Sequence, residues 1–211
     1  MKKLLLLLLA IFTYAYTNLP YQSQTPTQRE IKTKKDYEEF IKTLNQAIAL
    51  KDYSKALILG IVYMKDYPFA KANPQKAKYY LNLALNHNIY LAALSLSFLQ
   101  SPLNAIDTLE KTIKKAPLNI KNLLAIREVE IVLNDLYYNK SLIKHTIKTT
   151  YPIYKQTKDN VLAFGLAHLF FILKDLNTAN YLLNKACTSN NQQLKNLCLI
   201  DPFIKQQKEK K

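Results

Sequence analysis

From Asp36 onward, apolar residues recur at intervals of three and four. Ala77, Tyr80, Leu81, Ala84 and Leu85 form one such stripe, and Ala179, Leu182, Leu183 and Ala186 form another. That spacing gathers apolar side chains on one side of an α-helix, and no segment alternates with the period of two that a half-buried strand needs. Helix-opening residues punctuate the stripes. Asn73 before Pro74 and Ser101 before Pro102 each put a capping oxygen ahead of a proline suited to the first helical position. Asp52, Asn119, Asp159 and Asp175 stand before further segments. The pattern predicts helices near 36–50, 53–66, 74–87, 89–100, 102–115, 119–135, 139–150, 159–173, 176–188 and 191–199. Connections of only a few residues turn each helix antiparallel to its neighbour. The expected fold is all-α, with no sheet.

Composition agrees with a helical protein. Of 211 residues only Gly60 and Gly165 are glycine, so turns at positive φ are expected to be scarce. Hydrophobic residues make up 49%, enough for a substantial core. The formal charge of +15 is carried almost wholly by lysine, Arg29 and Arg127 being the only arginines. Nucleic-acid readers favour arginine, whose planar fork grips phosphate and guanine in a bidentate way. No nucleic-acid partner is therefore expected, whereas acidic proteins or anionic lipid suit such a surface.

The beginning of the chain carries an address. Met1-Lys2-Lys3 precedes an unbroken apolar run from Leu4 to Phe12, then Thr13-Tyr14-Ala15. A basic start, a short apolar stretch and small residues before a cut describe a signal peptide over residues 1–15. The run is shorter than the roughly 20 residues a membrane-spanning helix requires, so a membrane role arises only if this segment stays uncleaved. Residues 16–35, broken by Pro20 and Pro26, lack an apolar period and are expected to form a flexible leader. The helical domain is placed at 36–200. A basic tail follows over 201–211, where Lys205, Lys208, Lys210 and Lys211 have no apolar face to bury. The expected location is the periplasm or cell envelope of a bacterium.

Small residues recur at fixed intervals. Ala93 and Ala105 are 12 apart, as are Ala167 and Ala179; Ala84 follows Ala77 by seven, and Ala186 follows Ala179 by seven. Such residues let two helices approach closely. The segment Asn104-Ala105-Ile106-Asp107-Thr108-Leu109-Glu110-Lys111, closed by Pro117, resembles the tetratricopeptide repeat. The stretch Ala56-Leu57-Ile58-Leu59-Gly60-Ile61-Val62-Tyr63, followed by Asn73-Pro74 and Ala77, resembles the related Sel1-like repeat with its longer link between helices. Phe164-Gly165-Leu166-Ala167-His168 echoes Leu59-Gly60-Ile61-Val62-Tyr63. The resemblance covers roughly residues 53–188 as four hairpins, behind a capping helix at 36–50. The hairpin at 119–150 departs from it, with Arg127 and Lys140 where the families place small residues. What it implies is an α-solenoid, with Gly60, Ala77, Ala84, Ala93, Ala105, Ala167, Ala179 and Ala186 at the helix contacts.

Cys187 and Cys198 are the only cysteines. In an oxidising compartment an even count points to a pair. On one continuous helix they would lie about 16 Å apart, too far to bridge, but a turn at Thr188-Ser189-Asn190-Asn191 would return the chain. Cysteine-rich Sel1-like proteins are similar, tying the end of one repeat to the next, though at shorter spacing. Two buried free thiols are the alternative. No C-x-x-C and no neighbouring histidine marks either as catalytic.

Candidate chemistry is thin. His87 stands in a turn, His145 on a lysine-rich face, and His168 inside the second glycine motif; none has a carboxylate, cysteine or histidine at helical spacing. Glu38, Glu39, Glu128 and Glu130 lie among helical residues as solvated faces do. Nucleotide-binding and nucleophile-elbow motifs are lacking. Twelve tyrosines lie from Tyr37 onward, expected as core or groove aromatics. No cofactor, metal or catalytic residue is expected. The sequence points to a protein–protein interaction scaffold in the periplasm or envelope. A peptidoglycan- or polysaccharide-associated envelope protein is the second possibility.

Overall fold

A computed structural model describes residues 31–201. The expected signal segment, the leader up to Glu30 and the tail from Pro202 lie outside the described residues. Ten helices and no strand occur among those described. They are α1 (Lys34–Ala49), α2 (Ser54–Tyr63), α3 (Pro74–Asn86), α4 (Ala92–Leu96), α5 (Pro102–Ile113), α6 (Leu118–Asp135), α7 (Lys140–Thr157), α8 (Asn160–Ile172), α9 (Leu176–Cys187) and α10 (Gln192–Ile200). The fold is all-α. No described helix is long and apolar enough to cross a membrane.

The described residues form two compact units, 31–116 and 117–201. In the first, α1 packs on α2, α2 on α3, α3 on α4 and α4 on α5. Its centre is α2, where Ala56 through Gly60 and Val62 are all buried; a helix apolar on every side belongs inside. Ile31, Leu44, Ile58, Leu59, Val62 and Tyr67 form a core cluster there, edged by Tyr37, Phe40, Tyr63 and Tyr80. Between α2 and α3 the chain makes a tight excursion in which Tyr67 and Ala70 exchange backbone hydrogen bonds. In the second unit α6 packs on α7 and α8, α8 on α9, and α9 on α10. Here α8 is the central helix, buried from Leu162 through Leu169.

Several helix starts follow the capping pattern. Asn73 accepts from the Lys76 amide, Asp159 from Leu162 and Asp175 from Thr178, satisfying amides that have no partner within the helix. Others differ. Ser101 makes no side-chain cap, and α6 opens after Pro117, ahead of Asn119. The first helix begins at Lys34, earlier than expected, because Thr33 and Asp36 form a capping box. Ile31 is buried, so the last residues of the expected leader belong to the fold.

Two helices have other lengths than their patterns predict. The segment at 89–100 contracts to the five residues of α4. Ser97 turns its hydroxyl onto the Leu94 carbonyl at 2.6 Å, and the chain leaves through i→i−3 bonds at Phe98 and Leu99. Conversely α7 runs through Pro152 to Thr157. Proline removes one helical donor, but Ile153 and Tyr154 beyond it are buried, and their burial offsets the loss.

Positive φ is more frequent than the glycine count predicts. Lys51, Asn88, Lys158 and Lys174 adopt φ of 68°, 63°, 53° and 66°, and neither glycine does. At Lys51, Asn88 and Lys174 the two following hydrogen bonds of a Schellman ending are present, for example Lys174 N–H to Phe171 O at 2.9 Å and Asp175 N–H to Phe170 O at 3.0 Å. In Lys158-Asp159 and Lys174-Asp175 the lysine ends one helix and the aspartate caps the next.

Candidate functional site

The small residues are buried, and both glycines stand at close contacts with a neighbouring helix. Gly60 on α2 faces α3 so closely that a Cβ there would stand 2.6 Å from Leu81 Cγ. Ala77 and Ala84 on α3 are fully buried, as are Ala93 on α4 and Ala105 on α5. Ala167 on α8 and Ala179 and Ala186 on α9 are buried in the second unit. Gly165 meets α6, its notional Cβ 2.7 Å from Val129 Cγ1. Ala167 and Ala179, with His168, Phe171 and Leu183, line a notch of about 10 Å³, room for one water at most.

Cys187 and Cys198 are joined, with their Cα atoms 5.8 Å apart. Cys187 ends α9 and Cys198 lies on α10, which returns after the turn at Thr188–Asn191. Leu194 and Leu197 on α10 are buried beside Cys198. Covalent and apolar contacts therefore fix α10 against α9.

A second fastening was not visible as a motif. His168, which has no carboxylate at helical spacing, is buried on α8 and bonds through Nε2 to the distant Asp201 Oδ2 at 2.8 Å. Its Nδ1 faces the Phe164 carbonyl, also at 2.8 Å. A carbonyl only accepts, so Nδ1 carries a proton. A further proton must lie between Nε2 and the carboxyl, on one or the other. Asp201 is wholly buried and belongs to the fold instead of opening a free tail. The available sign was chemical. A ring with two polar nitrogens, set in the otherwise apolar Leu162–Leu169 run, requires buried partners.

The glutamates of α6 also depart from expectation. Glu128 and Glu130 are buried, not solvated. Glu130 pairs with Arg127 at 2.9 Å. Burial pushes its carboxyl above the ordinary carboxylate range, against the opposing pull of Arg127. His87 caps the end of α3 and stacks on Tyr53 with ring centroids 3.4 Å apart. Tyrosine divides between inside and outside: Tyr67 and Tyr154 are buried, whereas Tyr79, Tyr138 and Tyr181 are mostly exposed. Lysines lie over several rings, Lys155 over Tyr151 at 5.0 Å and Lys185 over Tyr181 at 5.7 Å. Among the described residues no group of three or more His, Cys, Asp or Glu could hold a metal ion.

What the geometry defines is an all-α protein of packed neighbouring helices, closed at its described C-terminal end by a disulfide and a buried His–Asp pair. Comparison with protein-family models, curated proteins and solved structures finds no match to the chain.

Proposed function

We propose that this protein holds other proteins, outside the cytoplasm, on a solenoid of tetratricopeptide- or Sel1-like hairpins, and has no catalytic role. The observation that carries the proposal is the division of labour among side chains. The small residues of the repeat pattern are buried, while several large apolar side chains remain outside: Tyr138 is 71% exposed, Tyr79 64%, Leu103 60% and Tyr181 55%. Exposed aromatics supply contact area at low entropic cost and are enriched at protein interfaces. The histidine–aspartate pair is buried and fastens the fold. The disulfide is weakly consistent with an oxidising compartment.

The test is in-cell cross-linking of the tagged chain followed by mass spectrometry of the envelope fraction. A protein partner recovered with the natural chain, and reduced when Tyr79, Tyr138 and Tyr181 are changed to serine, is the expected result. Recovery of glycan fragments in place of protein would favour the polysaccharide reading. Sequencing of the N-terminus from a periplasmic extract should begin near Tyr16; an intact Met1 in the cytosol would defeat the location.

A further inference from the structure

Within α7 the residues Lys140, Lys144, Lys148, Tyr151 and Lys155 follow one another at four, four, three and four. At 3.6 residues per turn this keeps them within about 80° of arc, and Lys158 ends the row. All five lysines are exposed. The opposite side of α7 is the buried one, with Ile143, Thr146, Thr150 and Ile153 turned into the unit. The result is a rail of positive charge about 22 Å long.

A charged outer face is ordinary; a face of one sign is not. Lys140, Lys144 and Lys148 stand as like charges at i,i+4, an arrangement that opposes helix formation. Nothing within the helix relieves it. No acidic residue occurs from Lys140 to Lys158, and over residues 140–200 there are eight lysines against two aspartates, 8 − 2 = +6. Those two, Asp159 and Asp175, are engaged as caps of α8 and α9. None of the rail lysines forms an ion pair among the described residues. By contrast α6 carries three acidic residues to two basic ones, with Glu128 and Glu130 buried. The unit therefore buries Glu128 and Glu130, leaves Asp135 and Asp175 exposed elsewhere, and displays five lysines along one helix.

We infer that the α7 rail binds an acidic polypeptide segment of the protein's partner. The inference rests on the scaffold proposal and adds the partner's chemistry. Charge complementarity identifies an anion, and three features select protein. Membrane-surface helices need an exposed apolar face, but that of α7 is buried. Single-stranded nucleic acid needs open aromatic faces for stacking along the row, yet Tyr151, the one ring within the rail, is half-buried and lies under Lys155. The rail also lacks arginine. Carboxylates accept from ammonium groups singly, without the fork that arginine supplies, and an extended chain of about seven residues spans the rail's length.

Fluorescence anisotropy of the oxidised full chain with labelled poly-L-glutamate tests this. The natural protein should bind in about 0.05 M salt and release the peptide in about 0.5 M, as screened charges do. Reversal of three rail charges, K144E/K148E/K155E, should weaken binding at least about tenfold, a few-fold per exposed pair. The triple K42E/K78E/K114E, with the same change in net charge, should stay within about twofold. All three proteins should give one circular dichroism spectrum. No binding to poly-glutamate, equal losses in the two triples, or tighter binding of the natural chain to poly-uridylate or phosphatidylglycerol vesicles each overturns the inference. A cellular partner still captured when the rail is reversed would end it while leaving the scaffold proposal standing.

Discussion

His168 bonds through both ring nitrogens to buried partners, one on its own helix and one 33 residues along the chain. Removing the far partner strands the ring's polar edge. Asp201→Ala should therefore cost about 3 kcal/mol in urea unfolding, the range for breaking a buried pair; a loss below about 1 kcal/mol would mean water readily replaces the carboxylate. Glu130 gives a pH signature. Its raised native value means that the folded chain binds this proton more tightly than the unfolded one. Its contribution is thus most favourable in acid and declines as pH rises through the ordinary carboxyl range, about 4.3, up to the native value. Stability followed from about pH 4 to 8 should fall more steeply for the natural chain than for Glu130→Gln, and parallel curves would contradict the shift. Lys174 holds positive φ, which costs a side-chain-bearing residue about 1–2 kcal/mol. Lys174→Gly should gain about 0.5 kcal/mol, part of the relief being lost to unfolded-state entropy. Lys174→Val should lose at least about 1 kcal/mol because branching at Cβ worsens the clash. Such sites were hard to read from sequence. Lysine at a helix end looks like a solvated charge, and glycine scarcity hid the turns it makes.

At the scale of the helix, the two glycines separate local preference from packing. Alanine in place of glycine gains about 1 kcal/mol of helix propensity. At Gly60 the new methyl meets Leu81 at 2.6 and 2.7 Å, and its backbone nitrogen at 3.3 Å; overpacking there costs about 1–3 kcal/mol. Gly60→Ala should thus lower the urea midpoint clearly. Gly165→Ala, which meets only Val129 closely, should lower it less; a reversed order would mean α2 and α3 have more room than described. The apolar period made all ten helices legible, since it reports burial directly. Their ends were less so. The 89–100 stretch reads as one helix because its apolar residues are continuous, but buried Ser95 and Ser97 offer the backbone other partners. The helix expected over 139–150 continues through Pro152, carried on by the burial of Ile153 and Tyr154. The Cys187–Cys198 pairing was legible from count and turn. The His168–Asp201 contact was not, because no local spacing encodes a bond across 33 residues.

For the whole molecule, the two units should respond separately to reduction. Closing a loop of this size contributes about 2–3 kcal/mol in the chain-entropy account. Hydrogen exchange after reduction should lose protection first over residues 176–201, while 31–116 keeps its own. Uniform loosening along the chain would show that the two units unfold as one. The fastenings of the second unit also have an order in time. Synthesis runs from the N-terminus, and the residues that complete both bonds, Cys198 and Asp201, come late in the unit. A nascent chain that has released α6 to α9 still carries an open thiol and a buried-ring partner site waiting to be filled. The last fourteen described residues are thus the latch of the unit, and a chain ended before Cys198 should be cut by protease sooner than the finished protein.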